Sequence, residues 1–273
     1  MNGASIIDVW AQRPGETFLR QPWLATLNRW TGRGNHAAEV PVEQLLAHMD
    51  EGGVEKVLLS AWWGPGGELI SNDSVAELVQ AYPDRFVGVA SVDLSRPMDA
   101  VRTLRRYVGE YGFKGLRVVP WLWNLPPDDR RYYPLYAACA ELGVPFMTQI
   151  GYTGPLCPSE PGRPIPYLEN VLLEFPELVV VGGHVGFPWF DEVVALSGKF
   201  PGLYVDTSAY VAGRYPAALV AFMKGRGRER VMFGTNYPML TPARCLAGLD
   251  ELGLDAESRA LFLSGNARRV FGL

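Results

Sequence analysis

Histidine is scarce in this chain: among 273 residues it occurs only at His36, His48 and His184. A zinc site takes three or four histidine, cysteine or carboxylate ligands. His36 lies in a loop-like stretch and His48 in an apolar-periodic helix, so a three-histidine or two-histidine–glutamate centre is not expected and no metal or other cofactor is assigned. Cysteine is equally sparse. Cys139, Cys157 and Cys245 are odd in number, widely spaced and in no metal-type pair, which excludes a disulfide framework and fits a reducing cytoplasm. Charge of one sign is missing too. The net charge is −4 with acids and bases interspersed, so no basic stripe invites nucleic acid. No apolar run approaches the roughly 18 residues of a membrane span, and the N-terminus shows no charged-then-apolar leader pattern. A small molecule is the expected partner, with neither membrane nor nucleic acid. A homodimer is the default assembly for a soluble chain.

What is present is an alternation. Of the residues, 48% are hydrophobic and 20% charged, enough apolar surface for a sizeable core. Short β-branched runs suited to buried parallel strands recur at 5–10, 56–60, 86–91, 115–119, 143–149, 178–182, 203–207 and 231–234. Helical patterns stand between them at 41–51, 72–80, 97–111, 132–142, 165–175, 189–199 and 215–224, with a helical tail from Thr241-Pro242. Asn72 or Asp73 is the expected cap of the second helix, and Gly112 the stop of the third. Strict alternation without a linker predicts an α/β fold: one (β/α)8 barrel over residues 1–273. The excursion at about 11–40 is too long for a plain connection and reads as a flap or rim. A doubly wound open sheet is the alternative. It lacks its usual sign, because Asp8-Val9-Trp10-Ala11-Gln12 follows the first strand where a glycine-rich phosphate turn would stand.

In a barrel the chemistry leaves the C-terminal ends of the strands. Those positions hold Asp8, Trp10 and Gln12; Trp62 and Trp63; Asp93; Arg117, Trp121 and Trp123; Gln149 and Tyr152; His184; Asp206 and Ser208; Asn236 and Tyr237. The stretch Val179-Val180-Val181-Gly182-Gly183-His184 brings a histidine out of a buried strand. Its ordinary pKa lies near neutrality, which suits an acid or base. Arg117, within an apolar strand, is a candidate carboxylate clamp through its planar fork, or else a rim ion pair with Asp93 or Asp206. Trp10, Trp62, Trp121, Trp123 and Tyr152 would supply flat walls for a planar ligand.

Several segments together resemble the amidohydrolase-2 family of barrels, which contains aminocarboxymuconate-semialdehyde decarboxylase and related aromatic-acid decarboxylases and lactonases. They are Ile6-Ile7-Asp8, Gly182-Gly183-His184-Val185-Gly186 with Pro188-Trp189, Val205-Asp206-Thr207-Ser208, Phe233-Gly234-Thr235-Asn236-Tyr237-Pro238, and Asn266-Ala267-Arg268-Arg269-Val270-Phe271. The resemblance implies a metal held by a first-strand Asp-x-His-x-His pattern, a fifth-strand histidine and an eighth-strand aspartate. Here those places hold Trp10, Gln12, Gln149 and Asn236. Of the five polar positions 10, 12, 149, 184 and 236, only His184 keeps the family's residue, at the position that implies an acid/base role beside the metal-bound water.

The expectation is therefore a metal-independent hydrolase or carboxy-lyase acting on a small planar carboxylate, aromatic or lactone-type. His184 moves the proton. Gln12, Gln149 and Asn236 polarise a carbonyl or fix a water, the alternative being that they plug the vacated space by bonding one another. Arg117 holds a carboxylate, and Trp10, Trp62, Trp121, Tyr152 and Asp206 complete the binding set. A barrel that binds a ligand without turning it over is the rival, and a metal recruited by Asp8, His184 and Asp206 is a third, weaker reading.

Overall fold

The computed structural model describes residues 5–32 and 39–273; His36 lies outside them. Among the described residues there are ten strands: β1 (Ile6–Ala11), β2 (Val54–Ser60), β3 (Trp62–Gly64), β4 (Gly67–Ile70), β5 (Phe86–Val89), β6 (Leu116–Arg117), β7 (Phe146–Gln149), β8 (Val180–Gly183), β9 (Leu203–Asp206) and β10 (Val231–Met232). Parallel ladders run β1-β2-β5 and β6-β7-β8-β9-β10. A parallel bridge between Ala90 and Leu116 joins the two sets. Val9 N donates to Phe233 O, Gln12 N to Tyr237 O and Asn236 N to Trp10 O, closing β10 onto β1. The result is a (β/α)8 barrel, with β3 and β4 forming an antiparallel hairpin outside the eight.

The β-branched and leucine-rich runs are buried where they form strands, as in β8, which is buried from end to end. Helices cover the outside. The longest, Pro97–Tyr111, carries proline in its first turn and stops at Gly112, whose φ of 68° is left-handed, a conformation that glycine adopts without steric cost.

The sequence reading differs from the structure at several ends. Ser71, rather than Asn72 or Asp73, caps the helix Asn72–Ala81, its hydroxyl accepting from Ser74 N at 3.0 Å. Asn72 instead clasps Ser91, donating to its O at 2.8 Å and accepting from its N at 3.0 Å. The helix expected from 165 begins at Glu169, because Pro164 and Pro166 lack the N–H groups a regular first turn would use. β6 and β10 are two residues each: Pro120 starts a helical turn soon after one, and the residues after the other turn aside to meet Asp8. The hairpin at 62–70 stands where no element was expected between the second strand and the second helix.

Among the described residues no helix is long and apolar enough to cross a membrane.

Candidate active site

A cavity of about 220 Å³ opens at the C-terminal mouth of the barrel. One side is a closed quartet of aromatic rings. Phe18 meets Trp23 at 5.5 Å between centroids, Trp23 meets Trp121 at 5.2 Å, Trp121 meets Trp62 at 6.0 Å, and Trp62 returns to Phe18 at 5.0 Å. Each such pair is worth about 0.5–1.5 kcal/mol beyond the area it buries. Phe18 and Trp23 come from the segment after β1, whose short helices Glu16–Leu19 and Ala25–Trp30 lie over the mouth. The polar side of the cavity is made by Gln12, Gln149, His184 and Asn236.

His184 follows β8 directly and is half-buried. Its Nδ1 lies 2.5 Å from Ser208 Oγ, and the Ser208 hydroxyl donates to Asp206 Oδ1. With that proton committed, the hydroxyl oxygen can only accept, so Nδ1 of His184 carries hydrogen and Nε2 keeps its lone pair. Burial, reinforced by the nearby Arg117 charge, pushes the His184 pKa down from 6.5 to about 3. The imidazole is neutral at physiological pH. Asp206 is wholly buried and also accepts from Ser208 N at 2.8 Å. Desolvation lifts its carboxyl to about 6, against the hydrogen bonds of Ser208 and His184 and the charge of Arg117.

The backbone around this relay is strained. His184 (φ 71°), Val185 (φ 65°), Ala209 (φ 68°) and Asn236 (φ 61°) are all left-handed, a region costly to residues with a Cβ and most unusual for a β-branched valine. Val185 N donates to Asp206 O at 3.0 Å, which helps hold the turn. Such strain gathers at sites where side-chain aim matters more than backbone comfort.

Arg117 does not reach the cavity lining. Its side chain is 2% exposed, and its guanidinium lies 4.6 Å from the Trp10 ring centroid and 4.8 Å from that of Trp62. Nη2 donates to Gln12 Oε1 at 2.9 Å. Neither Asp93 nor Asp206 pairs with it; Asp93 is occupied by Ser95 N and Oγ at 2.8 and 2.7 Å. Burial lowers the Arg117 pKa to about 9, with Asp206 and then Asp8 opposing the fall, so the group remains a cation. Gln12 is fully engaged, its amide nitrogen donating to Asn236 Oδ1 at 3.0 Å and to Tyr237 O. Gln149 stands apart from that pair, its Oε1 accepting from Trp121 Nε1 at 2.7 Å and its Nε2 donating to Tyr152 O at 3.2 Å.

These residues do not fit a metal. Among the described residues no group of three or more His, Cys, Asp or Glu side chains is arranged to hold one. Trp10 and Gln12 stand where the resemblance implies first-strand ligands, and the guanidinium bonded to Gln12 would repel a divalent cation. Asp8 is committed elsewhere. Its Oδ1 accepts from Trp10 N and Thr235 N at 3.0 Å each, and its Oδ2 from Thr235 Oγ1 at 2.5 Å. Burial nonetheless lifts its carboxyl to about 7, against those three bonds. Asp8 thus ties the first strand to the segment after the last.

Trp10 explains the glycine that directly precedes His184. A Cβ on Gly183 would lie 2.7 Å from the Trp10 ring, and that ring meets His184 edge-on at 5.3 Å. Gly183→Ala is expected to cost about 1–3 kcal/mol, the usual range for overpacking, read as a lowered urea midpoint at unchanged m. An unchanged midpoint would show that the indole moves freely.

Of the residues singled out from sequence, Gln12, Gln149, Asn236, His184, Trp62, Trp121 and Tyr152 line the cavity. Trp10, Arg117 and Asp206 are buried beneath it. His48 is half-buried and shares a 3.0 Å hydrogen bond with the Tyr237 hydroxyl. Phe18, Trp23 and Leu27 line the cavity without having been anticipated; the aromatic content of the 11–40 stretch was the available signal.

The amidohydrolase family model (Amidohydro_2) matches residues 36–273. The gamma-resorcylate decarboxylase of Rhodococcus jostii (strain RHA1) is 26% identical over 255 residues, which cover 74% of this chain and 75% of that protein. The 2-keto-4-carboxy-3-hexenedioate hydratase of Sphingobium sp. (strain NBRC 103272 / SYK-6) is 28% identical over 253 residues, 73% of this chain and 70% of its own. Among solved structures, an uncharacterized TIM-barrel protein of Bordetella bronchiseptica superposes with a TM-score of 0.84 at 26% identity, covering 98% of each chain. A 5-carboxyvanillate decarboxylase of Sphingomonas paucimobilis gives 0.74 at 20% identity, over 99% of this chain and 100% of that one. Matched along residues 36–273 and built on the same barrel, the chain belongs to the amidohydrolase family.

Proposed function

We propose that this protein is an enzyme that opens a small planar ester or lactone by attack of water, without a metal, using His184 as general base. One observation carries the reading: the Asp206–Ser208–His184 relay fixes Nδ1 as the protonated nitrogen and leaves Nε2 of a neutral imidazole at the cavity. A neutral imidazole offers Nε2 to a proton from water, with Asp206 balancing the imidazolium as it forms, but carries no hydrogen on Nε2 to deliver to a ring carbon, which favours hydrolysis over decarboxylation. The relatives include both a decarboxylase and a hydratase, named for acting on carboxylates, so addition of water is within the family's reach.

In this mechanism Nε2 removes a proton as the water oxygen bonds the carbonyl carbon. The carbonyl oxygen gains charge and is met by amide N–H groups. Asn236 Nδ2 is the best placed, donating only to the weak acceptor Met239 Sδ at 3.5 Å among the described residues; Gln149 Nε2 offers its second hydrogen. A preorganised donor of this kind is worth roughly 3–4 kcal/mol in a water-poor site. The imidazolium, balanced by Asp206 across one hydroxyl, returns its proton to the leaving ring oxygen, and the C–O bond breaks.

The test is hydrolysis of a panel of aryl esters and lactones by metal-analysed protein, before and after chelation. Turnover that needs stoichiometric metal would overturn the mechanism, and tight binding without turnover would make the chain a binding barrel.

The pH dependence follows from the low His184 pKa. A base whose pKa is about 3 in the folded chain is lost only when pH falls through that value. The kcat/KM profile is expected to be flat from pH 8 to about 7 and to fall near 6, where Asp206 takes up a proton and ceases to balance the imidazolium, with no step from His184 itself until about 3. A step near 6.5 that persists in Asp206→Asn would contradict the neutral His184 base. The same depression means that the unfolded chain takes up this proton first on acidification, so His184 lowers stability as pH falls from 6.5 towards 3.

A further inference from the structure

We infer that the ring accepted by this cavity is uncharged: an aryl ester or lactone that carries no free carboxylate, unlike the carboxylates for which the relatives are named. The inference rests on the proposed reaction only for the presence of a carbonyl to attack; the charge preference comes from the walls.

Among the described residues no lysine, arginine, aspartate or glutamate lines the cavity. Its polar side chains are amides, hydroxyls and the neutral His184. Four aromatic rings make one wall. A carboxylate brought into such surroundings would lose its hydration without gaining a counter-ion, a loss of several kcal/mol.

Arg117 is the obvious counter-ion, and the structure withholds it. Its guanidinium is stacked against the Trp10 and Trp62 rings and bonded to Gln12. Gln12 in turn is pinned to Asn236 and Tyr237. Bringing Arg117 to the cavity would break both ring contacts and strip Gln12 of its partner. It would also part the cation from the field of Asp206 and Asp8. The positive charge therefore serves the buried carboxylates beneath the cavity, not a ligand within it. Size narrows the class further. At about 220 Å³ the cavity is smaller than the roughly 300–1,000 Å³ of drug-sized sites, so it suits one ring or two fused rings. The Trp62 and Trp121 faces, with amide donors opposite, fit a flat ring bearing one carbonyl.

The test measures binding alone, so that it does not depend on turnover. Three probes share one skeleton: the lactam 3,4-dihydro-2-quinolinone, its 6-carboxylate, and the methyl ester of that carboxylate. Affinity for the full-length protein is read by calorimetry and by quenching of tryptophan fluorescence at pH 8. The lactam and the methyl ester are expected to bind at least about tenfold more tightly than the carboxylate. A carboxylate that binds as tightly as the methyl ester or better overturns the inference, and so does a failure of all three to bind. Should the lactam bind as expected while the matching lactone, 3,4-dihydrocoumarin, is not hydrolysed, the proposed reaction fails and the uncharged ligand stands.

Discussion

His184→Asn lowers turnover on the ester or lactone substrate by about 10²–10⁴-fold, the usual contribution of a positioned general base, while the folded structure persists. Asparagine is chosen over alanine for two reasons. Position 184 has a φ of 71°, and asparagine is among the few residues that tolerate the left-handed region. Its amide can also reach towards the Ser208 hydroxyl that His184 Nδ1 meets at 2.5 Å. Circular dichroism and the thermal midpoint should match wild type, and lactam binding should be retained. Turnover within about threefold of wild type would mean that another group removes the proton, since loss of a true base costs at least about 10².

The second large effect falls on stability. Asp8→Ala removes one carboxylate and orphans three donors: Trp10 N, Thr235 N and Thr235 Oγ1. Each buried donor left unmade costs about 1–3 kcal/mol. The sum is not additive, and a loss of about 3–5 kcal/mol is expected. At roughly 2–4 °C per kcal/mol for a chain of this size, Tm drops by about 10 °C or more. The cost is large because these bonds join the first strand to the segment after the last, where no continuous ladder closes the barrel. Urea unfolding gives the number directly, and a change under 1 kcal/mol would show that the backbone bridges between Val9 and Phe233 and between Gln12 and Tyr237 suffice.

The barrel was legible because its signal is local. A run such as Val179-Val180-Val181 ended by glycines can be read without knowing its neighbours, and eight such runs alternating with helical periods leave few folds open. His184 was legible for the same reason, since the end of a buried strand marks the mouth of the barrel. The direction of Arg117 was not. A charged residue in an apolar strand announces that it needs partners, but those partners, Trp10, Trp62 and Gln12, come from other strands and meet it only after closure. The relay through Ser208 was hidden likewise, because the serine follows a different strand from the one that precedes the histidine it orients. Phe18 and Trp23 stand in a segment without periodicity, so sequence offered their ring area but no address for it. The hairpin at 62–70 carries no sequence signal of its own, since Gly64-Pro65-Gly66-Gly67 suits many loops and the pairing of Trp62 with Ile70 is fixed only by the fold.

Trp10 and Gly183 constrain each other's history. The indole fills the space that a side chain at 183 would need, with its ring 2.7 Å from the place of that Cβ. While tryptophan stands at position 10, glycine is the only occupant of 183 that leaves the ring undisturbed. Putting back the histidine that the family pattern carries at position 10 would vacate part of that space, uncover a guanidinium now shielded by the indole, and leave Gly183 bordering a void. The two positions form an epistatic pair whose members change cheaply only together.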